Sequence, residues 1–496
     1  MPARRPNVLV FMTDQQRGDV VMPKHPCQLP HAARLAGEGI RFTHAFTCTA
    51  HCCPSRATFM TGAYPSRHGI YNNVSTPTAI HRGLYPNVPM FSERLRDSGY
   101  RLSYSGKWHV SDEENPSDRG WTELQVGASK GSFMHRRLDH WREMAQKAKA
   151  QPAPLERPWG VVQRPGWGDI EIFGSRPVPP ELKDRPWESH HDWRTVKQGL
   201  DALPGLAASG EPWFLYVGCN GPHDPFVIPE PYAKLYDPLK IPLPPNYRDT
   251  LEDKPRIYQR MRKQYWDQLS EDEIRASIAH YWGYCKLEDD YLGLLLDALE
   301  KTGQADNTLV IFTSDHGEYL GAHGLYAKGV PCFREAYHVP LLVRWPEGIH
   351  RPGREVDEFI TLADFAPTFT ELAGANSLGE ITGRSFVPFL RNETPADWPQ
   401  EHYTQFNGVE LYYTQRSVST KAHKYVYNGF DFDELYDLQK DPHETRNVAS
   451  DPAYTAIKRD LCGKMWRFAE RERDEMLFNP YWTVAMAPYG PADALG

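Results

Sequence analysis

Short apolar runs, each ending in polar residues or glycine, alternate with stretches of helical spacing along this 496-residue chain. The clearest runs cover residues 8–12, 213–217, 309–312 and 340–343. A run that is apolar at nearly every position is typical of a strand that is buried on both faces of a mainly parallel sheet. The pattern therefore predicts an α/β fold, in which a large, mostly parallel sheet is sandwiched by helices.

The longest helical stretch covers residues 276–301, where apolar side chains recur at intervals of three and four residues. Gly303 follows this stretch as a stop signal. Because the stretch leads into the run 309–312, we expect a helix that crosses over to a strand of the sheet. Ligands of such sheets bind beyond the carboxyl ends of the strands, so the residues that follow each run are the candidates for function.

Changes of composition suggest how the chain is divided. Residues 1–390 carry the α/β pattern, but 140–195 are rich in proline and tryptophan. We interpret 140–195 as an insertion near the active site, whose aromatic rings either stack on a substrate or only anchor an irregular loop. We expect 391–496 to form a small C-terminal α+β subdomain with an antiparallel sheet, a helix and a tail. The tail has no helical or strand signal, and it suggests a docking surface for a homo-oligomer.

Charge and cysteine content restrict the partners. The 56 basic and 64 acidic residues give a net charge of −8, which argues against a nucleic-acid binder and requires local positive charge at any anion site. The eight cysteines have no spacing that indicates a disulfide framework or a zinc site.

No apolar run approaches the roughly 20 residues of a membrane helix, and the first run is too short for a secretory signal. We therefore expect a cytoplasmic protein that does not bind membranes.

The most informative motif is CCPSRATFMTG at residues 52–62, in which a cysteine, one spacer and Pro-Ser-Arg lead into a short apolar segment. Proline is favoured in the first turn of a helix, so Pro54 places Cys52 just ahead of a helix start. Free N–H groups and partial positive charge at that end favour an anionic nucleophile and an anionic substrate, and Arg56 lies one turn further on. Read alone, Cys52 and Cys53 can also be buried small apolar residues.

The motif resembles the signature of the type I, formylglycine-dependent sulfatases of the alkaline phosphatase superfamily. The resemblance implies that a maturation enzyme oxidises Cys52 to formylglycine, whose hydrate attacks the sulfur of a sulfate monoester. A sulfo-enzyme intermediate then releases inorganic sulfate and restores the aldehyde. Cys52, rather than Cys53, has the family's distance from Pro54 and Arg56.

Metal-ligating residue types follow two of the apolar runs. Asp14 and Gln15 come after the first run, and Asp315 and His316 come after the third. Each carboxylate alone is often a helix cap, but with the cysteine motif they resemble the metal pocket of the superfamily. The resemblance implies one divalent metal held by these four side chains, Gln15 through its amide oxygen, and by an oxygen derived from Cys52. Calcium is favoured, and the imidazole and amide keep manganese or magnesium as alternatives.

Basic residues follow the other runs in the order of the sulfatase substrate site. Lys107 and His109 belong to the motif Gly-Lys-Trp-His at residues 106–109, and His223 belongs to the motif Pro-His-Asp-Pro-Phe at residues 222–226. Lys328 follows the pair of Asp315 and His316. The resemblance implies that Lys107 and Lys328 neutralise sulfate oxygens and that His223 protonates the leaving oxygen. It implies further that His109 deprotonates the second hydroxyl of the hydrate, and that Arg56 stabilises its oxyanion together with the metal.

Two other functions stay open. Phosphonate monoester and phosphodiester hydrolases of the same superfamily share the oxidised cysteine, the Asp-Gln start and the Asp-His pair, and Asn73 lies where they place a substrate-binding asparagine. They typically have Tyr and Thr in place of Lys107 and His109, so these two residues favour sulfate. The further alternative is an inactive relative that only binds a metal or an anion. The alcohol part of the substrate, aryl or sugar, is not indicated by the sequence.

Overall fold

The computed structural model describes residues 5–124, 138–150, 157–163, 169–408, 411–478 and 482–495. Its main feature is an eight-stranded sheet with the order β12-β2-β11-β10-β1-β8-β3-β4. The strands of this sheet are β1 (Asn7–Thr13), β2 (Ile40–Phe46), β3 (Arg101–Gly106), β4 (Thr122–Glu123), β8 (Trp213–Gly218), β10 (Thr308–Ser314), β11 (Leu341–Arg344) and β12 (Arg354–Thr361). Two small two-stranded sheets pair β5 (Val161–Val162) with β6 (Ile170–Glu171) and β7 (Phe173–Arg176) with β9 (Phe226–Pro229).

The sheet is mostly parallel, as predicted. Strand β1 pairs in parallel with β10 on one side and with β8 on the other, and β3 continues in parallel beyond β8. Only β11 runs antiparallel to its neighbours β10 and β2 within the described part of the chain. Strands form at all four apolar runs, although β11 begins one residue after the start of the run 340–343, and each strand extends by one or two residues beyond the end of its run.

Some helices of the described chain cover both faces of this sheet, and others pack on the C-terminal part. They are α1 (Pro30–Gly37), α2 (Cys52–Thr61), α3 (Pro65–His68), α4 (Phe91–Asp97), α5 (Leu138–Ala150), α6 (Trp193–Ala208), α7 (Glu230–Ala233), α8 (Arg256–Gln264), α9 (Glu271–Lys301), α10 (Arg334–Tyr337), α11 (Phe365–Ala373), α12 (Val387–Leu390), α13 (Thr455–Arg471), α14 (Trp482–Ala485) and α15 (Pro491–Leu495). Alternate residues of β1 enter two separate cores. Leu9 and Phe11 pack in one core with Leu292 of α9, whereas Val10 packs in the other with Phe59 of α2.

Helix α9 begins five residues before the predicted start at residue 276. Ser270 accepts a hydrogen bond from the backbone N–H of Glu273, and the Glu273 carboxylate accepts one from the N–H of Ser270. This capping box satisfies the free donors of the first turn, so the polar residues 271–275 join the helix.

The C-terminal part contains a four-stranded antiparallel sheet. Its strands are β13 (His402–Phe406), β14 (Gln415–Ser419), β15 (His423–Asn428) and β16 (Glu434–Asp437), and they pair in this order. Helix α13 packs on one face of the sheet, where Trp466 is fully buried against Tyr427.

The prediction that the tail lacks helices is wrong. Two short helices, α14 and α15, form there, and the tail folds back on α13 of the same chain, where Trp466 Nε1 donates to the Tyr489 carbonyl at 2.7 Å. Buried apolar contacts with α13 stabilise these helices although their own sequence favours them weakly. Tyr481 lies outside the described residues, and the homo-oligomer stays a prediction.

The proline- and tryptophan-rich segment is described only in part. Trp187 and Trp193 pack against the core on the α9 side, and the Trp193 ring stacks on Tyr291 at 6.3 Å. Both therefore anchor the segment, whereas Trp159 is 60% exposed. Trp167 lies outside the described residues, as does the side chain of Trp141. Among the described helices, none is long and apolar enough to cross a membrane.

A buried ion pair joins β14 to the segment that follows α13, and it also holds the end of β13. Arg416 contacts both carboxylate oxygens of Asp474, at 2.5 and 3.0 Å, and it also donates to the Phe406 carbonyl at 3.1 Å. Both side chains are almost fully buried. Loss of one partner leaves an uncompensated buried charge, which costs about 3–5 kcal/mol.

We therefore expect Asp474→Ala to lower the free energy of unfolding by about 3–5 kcal/mol, measured by urea denaturation with tryptophan fluorescence. Asp460→Ala is the control, because Asp460 is 60% exposed and lies 3.5 Å from Lys464, and such pairs contribute about 0–1 kcal/mol. Equal losses in the two variants would contradict the assignment.

Candidate active site

The candidate site lies at the carboxyl edge of the sheet, between β1 and β10. These strands are parallel and in register up to the pair Thr13↔Ser314, so the residues that follow them, Asp14 and Asp315, emerge side by side. The first residue of α2, Cys52, reaches the same point. Its Sγ atom lies 3.2 Å from His316 Nε2 and 3.7 Å from Asp14 Oδ1.

Helix α2 begins at Cys52 itself, with His51 as the residue before it. The expectation that Cys52 lies just ahead of the helix is therefore wrong by one residue, and Pro54 is the third helical residue. All ten residues of α2 are buried. The helix can be buried because its side chains enter the core on one side and contact the site on the other.

Four buried side chains could hold a metal ion. Ligand atoms of Asp14, Cys52, Asp315 and His316 all lie within 4.8 Å of one another. Burial and the neighbouring Asp14 raise the pKa of Asp315. His316 Nδ1 donates to the Gly317 carbonyl at 2.9 Å, which leaves the lone pair of Nε2 facing the cluster. Carboxylate oxygens and a neutral imidazole fit calcium, manganese or magnesium.

Arg56 joins the two carboxylates. Its Nε lies 2.7 Å from Asp315 Oδ2, and its Nη2 lies 3.3 Å from Asp14 Oδ2. The guanidinium also donates to the Lys107 carbonyl at 3.0 Å and to the Tyr216 hydroxyl at 3.2 Å. Burial opposes the charge of Arg56, but the two carboxylates outweigh it and raise the pKa of the guanidinium. Arg56 is thus placed to balance charge and to fix the acidic pair.

Gln15 is oriented by two carboxylates that the sequence analysis did not include. Its amide nitrogen donates to Asp224 Oδ1 at 2.8 Å and to Glu318 Oε2. Glu318 is itself held by the N–H of Leu320 at 2.8 Å. The amide oxygen of Gln15 consequently faces the other way and accepts from Lys328. The position of Glu318 two residues after His316 was the only sequence signal for this role.

The predicted lysines and His223 lie around the same cluster. Lys107 Nζ contacts Asp14 Oδ2, and Lys328 Nζ contacts His223 Nε2. Burial opposes the charges of both lysines, but Asp14 and Cys52 raise the pKa of Lys107, and Cys52 and Asp224 raise that of Lys328. Burial also opposes a Cys52 thiolate, yet Lys107, Lys328 and His316 hold the pKa of this thiol well below its usual range. The site therefore favours a negative group at position 52.

His109 and Asn73 lie close to Cys52 and Cys53, the first two residues of α2. His109 has a backbone φ of 50°, and its Nε2 lies 3.1 Å from Ser75 Oγ. Burial disfavours its charge, but Cys53 and Cys52 raise the pKa of His109 to about 10. The side-chain oxygen of Asn73 accepts from the Cys53 N–H at 3.2 Å. The Cys53 thiol packs in the apolar core on the α2 side of the sheet, which agrees with a structural role.

His51 is a site neighbour that the sequence analysis missed. Its ring lies 5.3 Å from Phe406, at the end of β13, and burial and the Lys328 charge lower its pKa to about 3. Only its position beside Cys52 could have indicated this place. The contact brings the C-terminal sheet to the edge of the site.

The chain resembles known proteins over nearly its whole length. The family described as Sulfatase matches residues 6–375, and the C-terminal family of N-sulphoglucosamine sulphohydrolase matches residues 321–471. The multifunctional alkaline phosphatase superfamily protein PehA of Trinickia caryophylli is 30% identical, with 95% of this chain and 96% of that protein covered. The choline-sulfatase of Rhizobium meliloti is 28% identical, with 99% and 94% covered.

A solved structure supports the same comparison. The phosphonate monoester hydrolase of Agrobacterium radiobacter superposes with a TM-score of 0.75 at 25% identity, covering 94% of this chain and 96% of that chain.

The buried cluster leads to a prediction about metal binding. We expect the chain to bind one divalent cation and Asp315→Asn to weaken this binding at least about tenfold, because a hard cation then loses an anionic ligand. Equilibrium dialysis against calcium, manganese and magnesium measures both the affinity and the preference. Asp290→Asn is the control, since Asp290 belongs to the partly exposed group with His31 and Asp289. Equal binding by wild type and Asp315→Asn would exclude the cluster as a metal site.

Proposed function

The chain belongs to the sulfatase family of the alkaline phosphatase superfamily, and we propose that it hydrolyses a sulfate monoester through a formylglycine formed from Cys52. The observation that carries this proposal is the field at Cys52, where Lys107 and Lys328 lower the pKa of a fully buried thiol. A positive field inside a protein of net charge −8 is what an anionic substrate requires. The proposal includes a maturation enzyme as partner and one divalent metal, for which calcium is favoured.

Formylglycine would supply the attacking oxygen at position 52, and a bound divalent cation would neutralise negative charge beside it. Asp14, Asp315 and His316 present oxygen and nitrogen donors that fit such a cation, and Gln15 could add its amide oxygen. We assign Lys107 and Lys328, on different sides of Cys52, to the outer oxygens of the sulfate group. Fixed cations at these oxygens stabilise the charge that develops during transfer.

His223 and Lys328 are the pair that we assign to protonation of the leaving oxygen. His223 Nδ1 lies 2.7 Å from the Asp224 carbonyl, so this nitrogen carries a proton and donates it in a hydrogen bond. Nε2 then accepts a hydrogen bond from Lys328 Nζ, and we assign this pair to the delivery of a proton to the leaving oxygen. We assign His109, which is close to the Cys52 position, to the removal of the proton that precedes sulfate release, since one of the two thiols that raise its pKa, that of Cys52, is lost when this residue is oxidised.

Hydrolysis of a phosphonate monoester or phosphodiester is the second candidate function. It is supported by the likeness to solved phosphonate monoester hydrolases, with TM-scores of 0.74 and 0.75, and by Asn73 next to the start of α2. Lys107 and His109 favour sulfate. An inactive metal- or anion-binding relative is the least supported, because such a protein would not need Lys107, His109, His223 and Lys328 together.

A row of aromatic rings supports an aryl alcohol as the leaving group. It begins at His51 and continues from Phe406 to Tyr413 at 5.7 Å and from Tyr413 to Phe430 at 4.9 Å. The row borders an open pocket of about 560 Å³. Apolar faces of this kind bind planar rings by stacking and burial.

The test is a paired assay on p-nitrophenyl sulfate and a p-nitrophenyl phosphonate monoester, with the mass of the Cys52 peptide measured on the same sample. We expect a preference for sulfate, an aldehyde at position 52, loss of turnover in Cys52→Ala and little change in Cys53→Ala. Preference for the phosphonate would promote the second candidate, and turnover by Cys52→Ala would disprove the assigned nucleophile. An oxidised Cys52 without turnover on either ester would instead argue against aryl leaving groups.

The proposed proton transfer predicts a dependence on the leaving group. We expect His223→Ala to reduce kcat/KM by at least about 100-fold for an alkyl sulfate and by much less for p-nitrophenyl sulfate, whose leaving oxygen needs little protonation. Lys107→Ala serves as the matched comparison: it acts on the outer oxygens, so it should reduce the rate about 10²–10³-fold for both esters. A His223→Ala effect that is independent of the leaving group would remove His223 as the acid.

A further inference from the structure

A second polar cavity lies between the catalytic sheet and the C-terminal sheet. It has a volume of about 170 Å³, and its walls come from β2 and β12 on one side and from β13, β14 and β15 on the other. None of its lining residues belongs to the candidate active site. At about 30 Å³ for each water molecule, the cavity has room for a small polyatomic ion with some water.

His402 of β13 lines this cavity and lacks hydrogen-bond partners. His402 is only 2% exposed, and neither nitrogen of its ring has a hydrogen-bond partner among the described residues. The ring stacks on Phe46 at 4.7 Å, which fixes its plane. Leaving a buried polar group unpaired costs about 1–3 kcal/mol, so the site requires a partner that the chain itself does not supply.

Arg334 lines the same cavity and carries an unneutralised charge. Its guanidinium lies over the Phe46 ring at 5.2 Å, and within the described residues it has no hydrogen-bond acceptor and no carboxylate at ion-pair distance. The other cations of the wall are neutralised, because Lys424 pairs with Glu444 at 2.8 Å and Lys421 pairs with Asp357. Arg334 is therefore the cation of this wall without a carboxylate at ion-pair distance among the described residues, although Glu444, Glu335, Asp19 and Asp357 act on its charge from further away.

The charge of Arg334 contributes to lowering the pKa of three neighbouring histidines. Burial comes first among the causes that lower the pKa of His402 to about 3, and the charges of Lys424 and Arg334 follow. Burial and Arg334 likewise lower the pKa of His44 to about 4 and that of His338 well below its usual range. His402 is therefore neutral and offers one N–H donor, beside a guanidinium that offers several.

We propose that this cavity is a binding site for a small oxyanion, held by the Arg334 guanidinium and the His402 imidazole. A guanidinium presents a fork of donors that matches two oxygens of a carboxylate, a sulfate or a phosphate. The bound ion would neutralise Arg334 and satisfy His402. Because the two residues lie on different sides of the boundary, the ion would also join the catalytic sheet to the C-terminal sheet.

The test uses the full chain with Lys107→Ala and Lys328→Ala, which removes the two lysines expected to hold oxyanions at the active site. Sodium sulfate, sodium phosphate and sodium succinate are titrated separately by calorimetry at constant ionic strength set with chloride. We expect one site per chain for at least one of them, and the tightest of the three identifies the kind of oxyanion. Failure of the sulfatase proposal would leave this result unchanged, since the experiment does not depend on turnover.

Arg334→Met in the same background should weaken the binding at least about tenfold, and His402→Phe, which keeps the stacked ring, should weaken it too. Arg467→Met is the matched control, because Arg467 is an exposed arginine on α13, and it should bind like the background. Circular dichroism establishes that each variant is folded. The substitution of Arg334 is less disruptive to folding than that of His402, because Arg334 is only partly buried. No binding in the background, or binding that Arg334→Met leaves unchanged, would overturn the proposal and identify a cavity filled with water.

Discussion

The site depends on the interaction of one buried arginine with two buried carboxylates. Parallel strands β1 and β10 deliver Asp14 and Asp315 to the same edge of the sheet, fully removed from solvent. Each buried ion costs several kcal/mol of lost hydration, which only close partners repay. Arg56, held by α2, supplies one such partner, and Lys107 supplies another at the same Asp14 oxygen, Oδ2. The same helix places Cys52, so the group that balances the acids and the candidate nucleophile are positioned by one element.

This arrangement explains how a protein of net charge −8 can present a positive site. The acids lie beneath Cys52, where they are paired, and the lysines surround it with their charges directed at the same point. Asp224 and Glu318 both accept a hydrogen bond from the amide nitrogen of Gln15, and the charge of Asp224 also raises the pKa of Lys328, which keeps this lysine positive. Their effect is to orient that amide. An asparagine or a reversed amide at this position would leave a buried carboxylate facing an oxygen.

The sequence predicted the part of the site that follows from local rules. The two apolar runs indicated Asp14 and Asp315 as candidates at strand ends, and the resemblance to the sulfatases joined them in one metal site. The orientation of Gln15 could not be predicted, because it depends on Asp224 and Glu318, which reach it across 209 and 303 residues of sequence. His51 was missed for the same reason: its neighbour Phe406 belongs to another sheet. The helices of the tail were missed because their stability comes from packing on α13 rather than from their own composition.

The charged cluster around Cys52 and the aromatic row therefore belong to different parts of the chain. The charged groups around Cys52 come from the catalytic sheet, where register and burial leave little freedom to change them. The aromatic row that starts at His51 comes mainly from the C-terminal sheet, and its position depends on the boundary between the two sheets. That boundary contains the cavity of Arg334 and His402. Since β13 carries both His402 and Phe406, a change in the occupant of the cavity acts on the same strand that borders the substrate side. An oxyanion bound in the proposed site would therefore contact the strand that carries the aromatic row, at a distance from the catalytic charges.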